Sequence, residues 1–154
     1  LRQKYPEATF TIVGRNPPVK VVELAKRFPG VRVTGTVDDV KPFINESAVM
    51  VVPLRVGGGT RIKIFEGMAT AIPVVSTRIG AEGLPVTHGE NILLADSASD
   101  TVQEISKLFE NPGLAQQIGA NGRALVNAKY GWDSVNAIFE GFCRRVSELG
   151  KKRI

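Results

Sequence analysis

Three consecutive glycines, Gly57-Gly58-Gly59, run into Thr60-Arg61-Ile62-Lys63, with Glu66 three residues further on. By type and spacing, these residues are the best placed in the chain to hold an anion. Glycines let a backbone approach a ligand closely and adopt conformations closed to other residues. Thr60 suits a helix N-cap, which would leave free N–H groups and the positive end of a helix dipole just beyond the glycines. Arg61 and Lys63 in the first turn run against the dipole preference, a local penalty that a bound diphosphate would offset. Glu66 lies about 9 Å along such a helix from Thr60, at ~1.5 Å per residue, and shares a face with Lys63. A diphosphate at the helix start and a ribose diol at the carboxylate would match that separation, since a carboxylate accepts two hydroxyl hydrogens at once. Two simpler readings stand beside this one: an ordinary glycine turn, and an exposed i,i+3 ion pair between Lys63 and Glu66. The segment is neither a Walker loop, lacking a Gly-Lys-Ser/Thr ending, nor a Gly-x-Gly-x-x-Gly dinucleotide fingerprint.

The other chemically capable residues are isolated. His88, the one histidine, sits in Val86-Thr87-His88-Gly89-Glu90 with no titratable partner at a recognisable spacing, and reads as an exposed turn residue. Cys143, the one cysteine, cannot form an intrachain disulfide and reads as a buried, inert thiol, which points to a reducing, cytoplasmic setting. Glu82, between Ala81 and Gly83, suits either ligand contact or plain loop solvation. Trp132 reads as a packing anchor rather than a sugar-stacking platform.

The elements that must position these residues follow from the apolar pattern. Residues 9–13, 31–35, 48–52, 73–77 and 91–95 are short β-branched or apolar runs, and continuous runs rather than alternation indicate strands covered on both faces, as in a parallel sheet. Pro17-Pro18 opens a helix with Val21, Val22, Leu24, Ala25 and Phe28 on its apolar side, and Asp38-Asp39 heads a short one. Ile64, Phe65, Met68 and Ala69 are expected to face the core. After Asp96 the pattern is wholly helical, ending in Trp132 to Leu149 with Val135, Ile138, Phe139, Phe142 and Val146 on one face. Residues 1–6 read as the last turn of a helix. The class is α/β, a Rossmann-like doubly wound parallel sheet in one domain over 1–154. Ligands of such sheets bind at the carboxyl ends of the strands, which narrows the site to the loops 14–18, 35–39, 53–60 and 77–85.

Composition sets the outer limits. A chain of 154 residues, 43% hydrophobic and 23% charged, is an ordinary globular composition. No apolar run approaches the ~20 residues that cross a bilayer. The net charge of +5 suits an anionic partner, but the basic residues are scattered and no zinc-ligand spacing or aromatic RNA-binding signature accompanies them, so nucleic acid is not expected. The cluster Lys151-Lys152-Arg153 suits either a solvated tail or peripheral contact with an anionic membrane surface.

The run from Pro53 to Ala69, with Ile72-Pro73-Val74-Val75-Ser76-Thr77 and Gly80-Ala81-Glu82-Gly83-Leu84, resembles the C-terminal domain of group 1 (family 4) glycosyltransferases, retaining enzymes of GT-B fold. The resemblance extends to Ile12-Val13-Gly14, to Gly35-Thr36-Val37 and to Tyr130-Gly131-Trp132-Asp133. It implies a nucleoside-diphosphate-sugar site. In that family two glutamates eight positions apart bracket the donor, the second on the ribose. Glu66 matches the second, and the first falls at Gly58. The loop is similar to a subgroup with Gly-Gly-Gly-Thr-Arg-x-Lys, in which backbone amides hold the sugar diphosphate. The resemblance further implies a base pocket near Thr36, Val37 and Val40, with Gly14 and Arg15 lining the crevice. It also implies that the domain's first strand and most of its first helix precede residue 1, and that an N-terminal acceptor domain completes the enzyme.

The function expected on these grounds is the donor-binding part of a retaining glycosyltransferase of hexosyltransferase type, inactive alone. Gly57, Gly58, Gly59, Thr60, Arg61, Lys63, Glu66 and Glu82 would contact the donor. Arg61 and Lys63 would stabilise the leaving diphosphate, with no cofactor and no metal required. The alternatives are a nucleotide-sugar epimerase of GT-B architecture and a non-catalytic binding module.

Overall fold

The apolar runs become strands and the periodic ones helices, in the order β1 (Phe10–Val13), α1 (Val19–Arg27), β2 (Val31–Gly35), α2 (Lys41–Asn45), β3 (Met50–Val52), α3 (Ile62–Ala69), β4 (Val74–Ser76), β5 (Leu93–Leu94), α4 (Ala98–Glu110), α5 (Pro112–Tyr130) and α6 (Trp132–Lys151). The structure, a computed structural model, describes residues 1–151. Lys152 and Arg153 of the basic cluster lie outside the described residues.

All strand pairing is parallel, as expected of an α/β chain. β1 pairs with β2 from Phe10 opposite Val31. β4 lies between β3 and β5, with Met50 opposite Val74 and Val75 opposite Leu93. The expected single sheet is thus hydrogen-bonded as two, β1-β2 and β3-β4-β5. β1 and β3 each pair along one side. β4, flanked on both sides, is buried throughout, whereas Phe10 and Thr11 are exposed and Met50, Val51 and Val52 half-buried. Apolar runs like these suit covered strands, but a strand with one neighbour keeps an unpaired edge of backbone N–H and C=O groups.

The core lies around the three-stranded sheet. Val75, Leu93, Ala95, Ile105, Leu108 and Ile118 form one buried cluster, and Ile64, Met68, Val74, Ala81 and Ile92 the other. α3 lies close on the sheet because position 67 is glycine: a β-carbon there would stand 2.7 Å from Met50 Sδ and 2.9 Å from Val74 Cγ2. Ile64 and Met68 face inward as expected and Phe65 is half-buried, its ring tilted 47° to that of Tyr130 with centres 4.4 Å apart. Ala69, expected in the core, is exposed. It belongs to the flank that α3 turns away from β3 and β4. α4 starts on a capping box, in which Asp100 N donates to Ser97 Oγ (3.0 Å) and Ser97 N to Asp100 Oδ2 (3.3 Å).

The two ends of the chain are held differently. Residues 1–6 make a single turn, with Lys4 and Tyr5 N–H both donating to the Leu1 carbonyl at 2.9 Å. Tyr5 lies edge-on to Phe109 of α4, and Lys4 and Tyr5 both donate to Glu110. At the other end, α6 is amphipathic, yet its apolar face is uncovered: Trp132 is 81% and Phe139 66% exposed. Trp132 is therefore not a packing anchor. Cys143 is exposed, not buried. Helical periodicity reports that a face is apolar, while burial needs a second surface opposite it.

Candidate functional site

The site is built from two loops that leave neighbouring parallel strands and are tied to each other. Thr77 N–H and Ser76 Oγ both donate to the Val52 carbonyl, at 3.3 and 3.2 Å. Thr77 Oγ1 donates to the Leu54 carbonyl and accepts from Gly80 N–H at 2.9 Å. Gly80 is needed for this approach, because a β-carbon there would run into Ser76 Oγ and lie 3.1 Å from both Thr77 Oγ1 and the Val52 carbonyl oxygen. On the far side, Asp96 accepts from Arg78 N–H at 2.8 Å and pairs with the Arg78 guanidinium. The backbone N–H of Arg78, seconded by its side chain, holds the Asp96 carboxyl below its ordinary value of 3.8. Loop 77–84 is therefore anchored where it leaves β4.

The glycine loop follows from Leu54. Gly59 has φ +90°, a conformation that side chains with a β-carbon rarely adopt. α3 then starts one residue later than expected. Arg61, not Thr60, is its N-cap, with φ −80° and ψ 47°, and no side chain caps the helix. The reason lies in the backbone: the Arg61 carbonyl accepts from Ile64 N–H at 3.0 Å and Phe65 N–H at 3.4 Å, so the first turn closes on Arg61.

Arg61 is consequently drawn under the loop. Its side chain is 8% exposed. One terminal nitrogen donates to the Gly57 carbonyl at 3.3 Å and to Glu82 Oε2 at 3.4 Å, while Nε is buried with no partner among the described residues. Lys63 Nζ donates to Glu66 Oε2 at 2.8 Å, so the simpler i,i+3 ion pair does form. Gly58, Thr60, Arg61 and Lys63 line a cleft of about 190 Å³, with Leu54 and Gly80 opposite. Glu66 and Glu82 do not line it.

The remaining expected residues sit at the ends of β1 and β2. Gly14 N–H donates to the Gly35 carbonyl at 3.3 Å, joining the two strands where they end. Arg15 and Thr36 are exposed, Val37 and Val40 half-buried, and Val40 is the N-cap of α2. None of them lines the cleft at the glycine loop. His88 is exposed as expected, but its Nδ1 accepts from Leu94 N–H at 2.9 Å and so ties the segment before β5 to that strand. Thr77, Gly80 and Asp96 were missed by sequence reasoning. Their signal was position: Thr77 and Asp96 are the polar residues that stop two apolar strands at the ligand end of a parallel sheet. Among the described residues, no group of three His, Cys, Asp or Glu side chains is arranged to hold a metal ion, and no helix is long and apolar enough to cross a membrane.

The fold these loops belong to has close counterparts. The solved C-terminal domain of a group 1 glycosyl transferase from Francisella tularensis superposes with a TM-score of 0.70 at 22% identity, over 85% of this chain and 74% of that one. A HepE structure from Anabaena in complex with UDP gives 0.78 at 18% identity, over 93% of this chain and 42% of that one. The fold is that of the C-terminal domain of GT-B glycosyltransferases. The profile of the group 1 glycosyl transferases matches residues 1–111, and the chain belongs to that family.

Among relatives, a glycosyltransferase of Methanocaldococcus jannaschii is 35% identical over 98 residues, 62% of this chain and 27% of that protein. A GDP-mannose-dependent α-(1-6)-phosphatidylinositol monomannoside mannosyltransferase of Mycobacterium tuberculosis is 28% identical over 158 residues, 94% of this chain and 41% of that protein. The chain thus spans well under half the length of these relatives.

Proposed function

We propose that these residues form the donor-binding part of a retaining glycosyltransferase, which takes a sugar from a nucleoside-diphosphate sugar. The observation that carries this is Arg61, a cation whose side chain is 8% exposed beneath a glycine loop at a helix amino end, with a buried Nε that no group among the described residues satisfies. Glu82 reaches one nitrogen of Arg61 at 3.4 Å and leaves donors unused, and a guanidinium presents five donors in a fork that fits phosphate oxygens. The amino end of α3 favours an anion in the same place. Arg61 and Lys63 would stabilise the negative charge that grows on the diphosphate as the glycosidic bond breaks, work that other folds give to a metal. Glu66 would turn from Lys63 to the ribose hydroxyls. The base would sit toward Thr36, Val37 and Val40. UDP and GDP are the nucleotides to try first, given the UDP-bound neighbour and the GDP-mannose-dependent relative.

The acceptor site and the sugar-transfer activity belong, on this reading, to a larger two-domain enzyme of cytoplasmic location, and residues 1–154 alone do not transfer sugar. The share of the relatives that the chain spans supports this. Calorimetric titration with UDP and GDP tests the donor reading. Micromolar to millimolar binding that Lys63→Ala and Glu66→Ala weaken is expected, and failure of every nucleoside diphosphate to bind refutes it.

Gly58 favours a second reading. It stands where the family resemblance places a carboxylate, so a binding module without catalysis is the alternative. Sugar transfer by the full-length protein would exclude it.

A further inference from the structure

The contacts of Arg61 are unequal to its burial. One nitrogen makes both of them, at 3.3 and 3.4 Å, longer than the ~2.7–2.9 Å of a good charge-assisted bond. Glu82 therefore balances the charge of Arg61 without satisfying its donors. The two partners differ sharply in surroundings: Arg61 is 8% exposed, Glu82 74%. The carboxylate reaches in from water, and it can return to water by side-chain rotation alone. Its loop need not move, since Thr77 ties its start to Leu54, Arg78 ties it to Asp96, and Ala81, next to Glu82, is buried in the core. The neighbouring ionic groups have partners of their own: Lys63 pairs with Glu66, and Arg78 with Asp96.

We propose that Glu82 is an exchangeable counterion of Arg61, seated on the guanidinium in the empty site and expelled by the diphosphate of the donor. The inference rests on the donor-site reading above and goes beyond it by giving the site a built-in competitor. A phosphate can take two donors of the guanidinium at once, which Glu82 does not. Carboxylate and phosphate repel each other, so they do not share Arg61. The exchange lowers the affinity for the nucleoside diphosphate left after transfer and speeds its release, because Glu82 recaptures Arg61 as the product leaves. Glu82 is thus a regulator of occupancy.

The test uses UDP, GDP and inorganic pyrophosphate as probes, titrated calorimetrically into wild type, Glu82→Gln and Glu82→Asp, with dissociation followed by stopped flow. Glu82→Gln is expected to bind each probe about two- to five-fold more tightly, the range of an ion pair with one exposed partner, and to release it more slowly. Glu82→Asp, whose carboxylate is one methylene shorter, should fall between. The gain should vanish in an Arg61→Gln background and shrink at high salt. Wild-type binding that Glu82→Gln leaves unchanged or weakens would overturn the exchange alone, as would a gain that persists without Arg61. Absence of binding by wild type and every variant would overturn the donor site, and the exchange with it.

Discussion

Thr77 Oγ1 donates a hydrogen bond to the Leu54 carbonyl and so ties the loop after β4 to the loop after β3. The same hydroxyl accepts from Gly80 N–H, and one side chain thereby sets the distance between the glycine loop and the segment that carries Glu82. Thr77→Val keeps the shape and leaves a carbonyl and an N–H without this partner. A loss of about 1–3 kcal/mol is expected in urea unfolding, the usual cost of a buried polar group left unpaired. Nucleotide affinity should fall with it, and Thr77→Ser should restore both.

Gly80 and Gly58 make opposite predictions. Gly80→Ala puts a β-carbon against Ser76 Oγ and the Val52 carbonyl, and overpacking of this kind costs about 1–3 kcal/mol. A β-carbon at Gly58 meets nothing within 4 Å, so Gly58→Glu should unfold at the same denaturant concentration as wild type. The new carboxylate would stand beside Arg61 and Lys63 and should weaken pyrophosphate binding through like charge. Circular dichroism melts and calorimetry on the two variants separate the outcomes.

Asp96 carries the expected pH dependence. Hydrogen bonds from Arg78 lower its folded-state pKa below the ordinary 3.8, so the ionised form stabilises the fold. That stability is fully present above the ordinary value and is lost as pH falls through the lower folded value. Asp96→Asn should therefore be less stable than wild type at pH 7. The difference should close as the pH falls below about 4, measured by denaturant midpoints across the range.

Lys63 and Glu66 distinguish a surface ion pair from a binding pair. The contact is solvent-exposed on the lysine side and i,i+3, so Lys63→Ala and Glu66→Ala should each change stability by less than about 0.5 kcal/mol. Both should nonetheless weaken UDP or GDP binding. Unchanged affinity in both would reduce the pair to the simple surface contact.

Much of this architecture was legible in the linear order of residues. Short apolar runs and helical periodicities are local, and they place the strands and helices within a few positions. The glycine run before an apolar-periodic helix likewise marks its loop, because the conformations it permits are a property of the glycines themselves. The N-cap was missed by one residue, since which carbonyl closes the first turn depends on how Gly59 and Arg61 are held. Burial was the least legible. β1, β3 and α6 carry the apolar residues of covered elements, yet stand half or wholly exposed, because covering needs a second surface that an element's own sequence does not specify. The tie between Thr77 and Leu54 and the meeting of Arg61 with Glu82 span 23 and 21 positions, and only the parallel pairing of β3 with β4 brings them together. Residue type and spacing determined on their own that Gly57 to Lys63 is the stretch of the chain best suited to hold an anion. The tertiary structure alone decided that Arg61 would be buried there short of partners, because burial and counter-charge arise from loops that meet only in the folded chain.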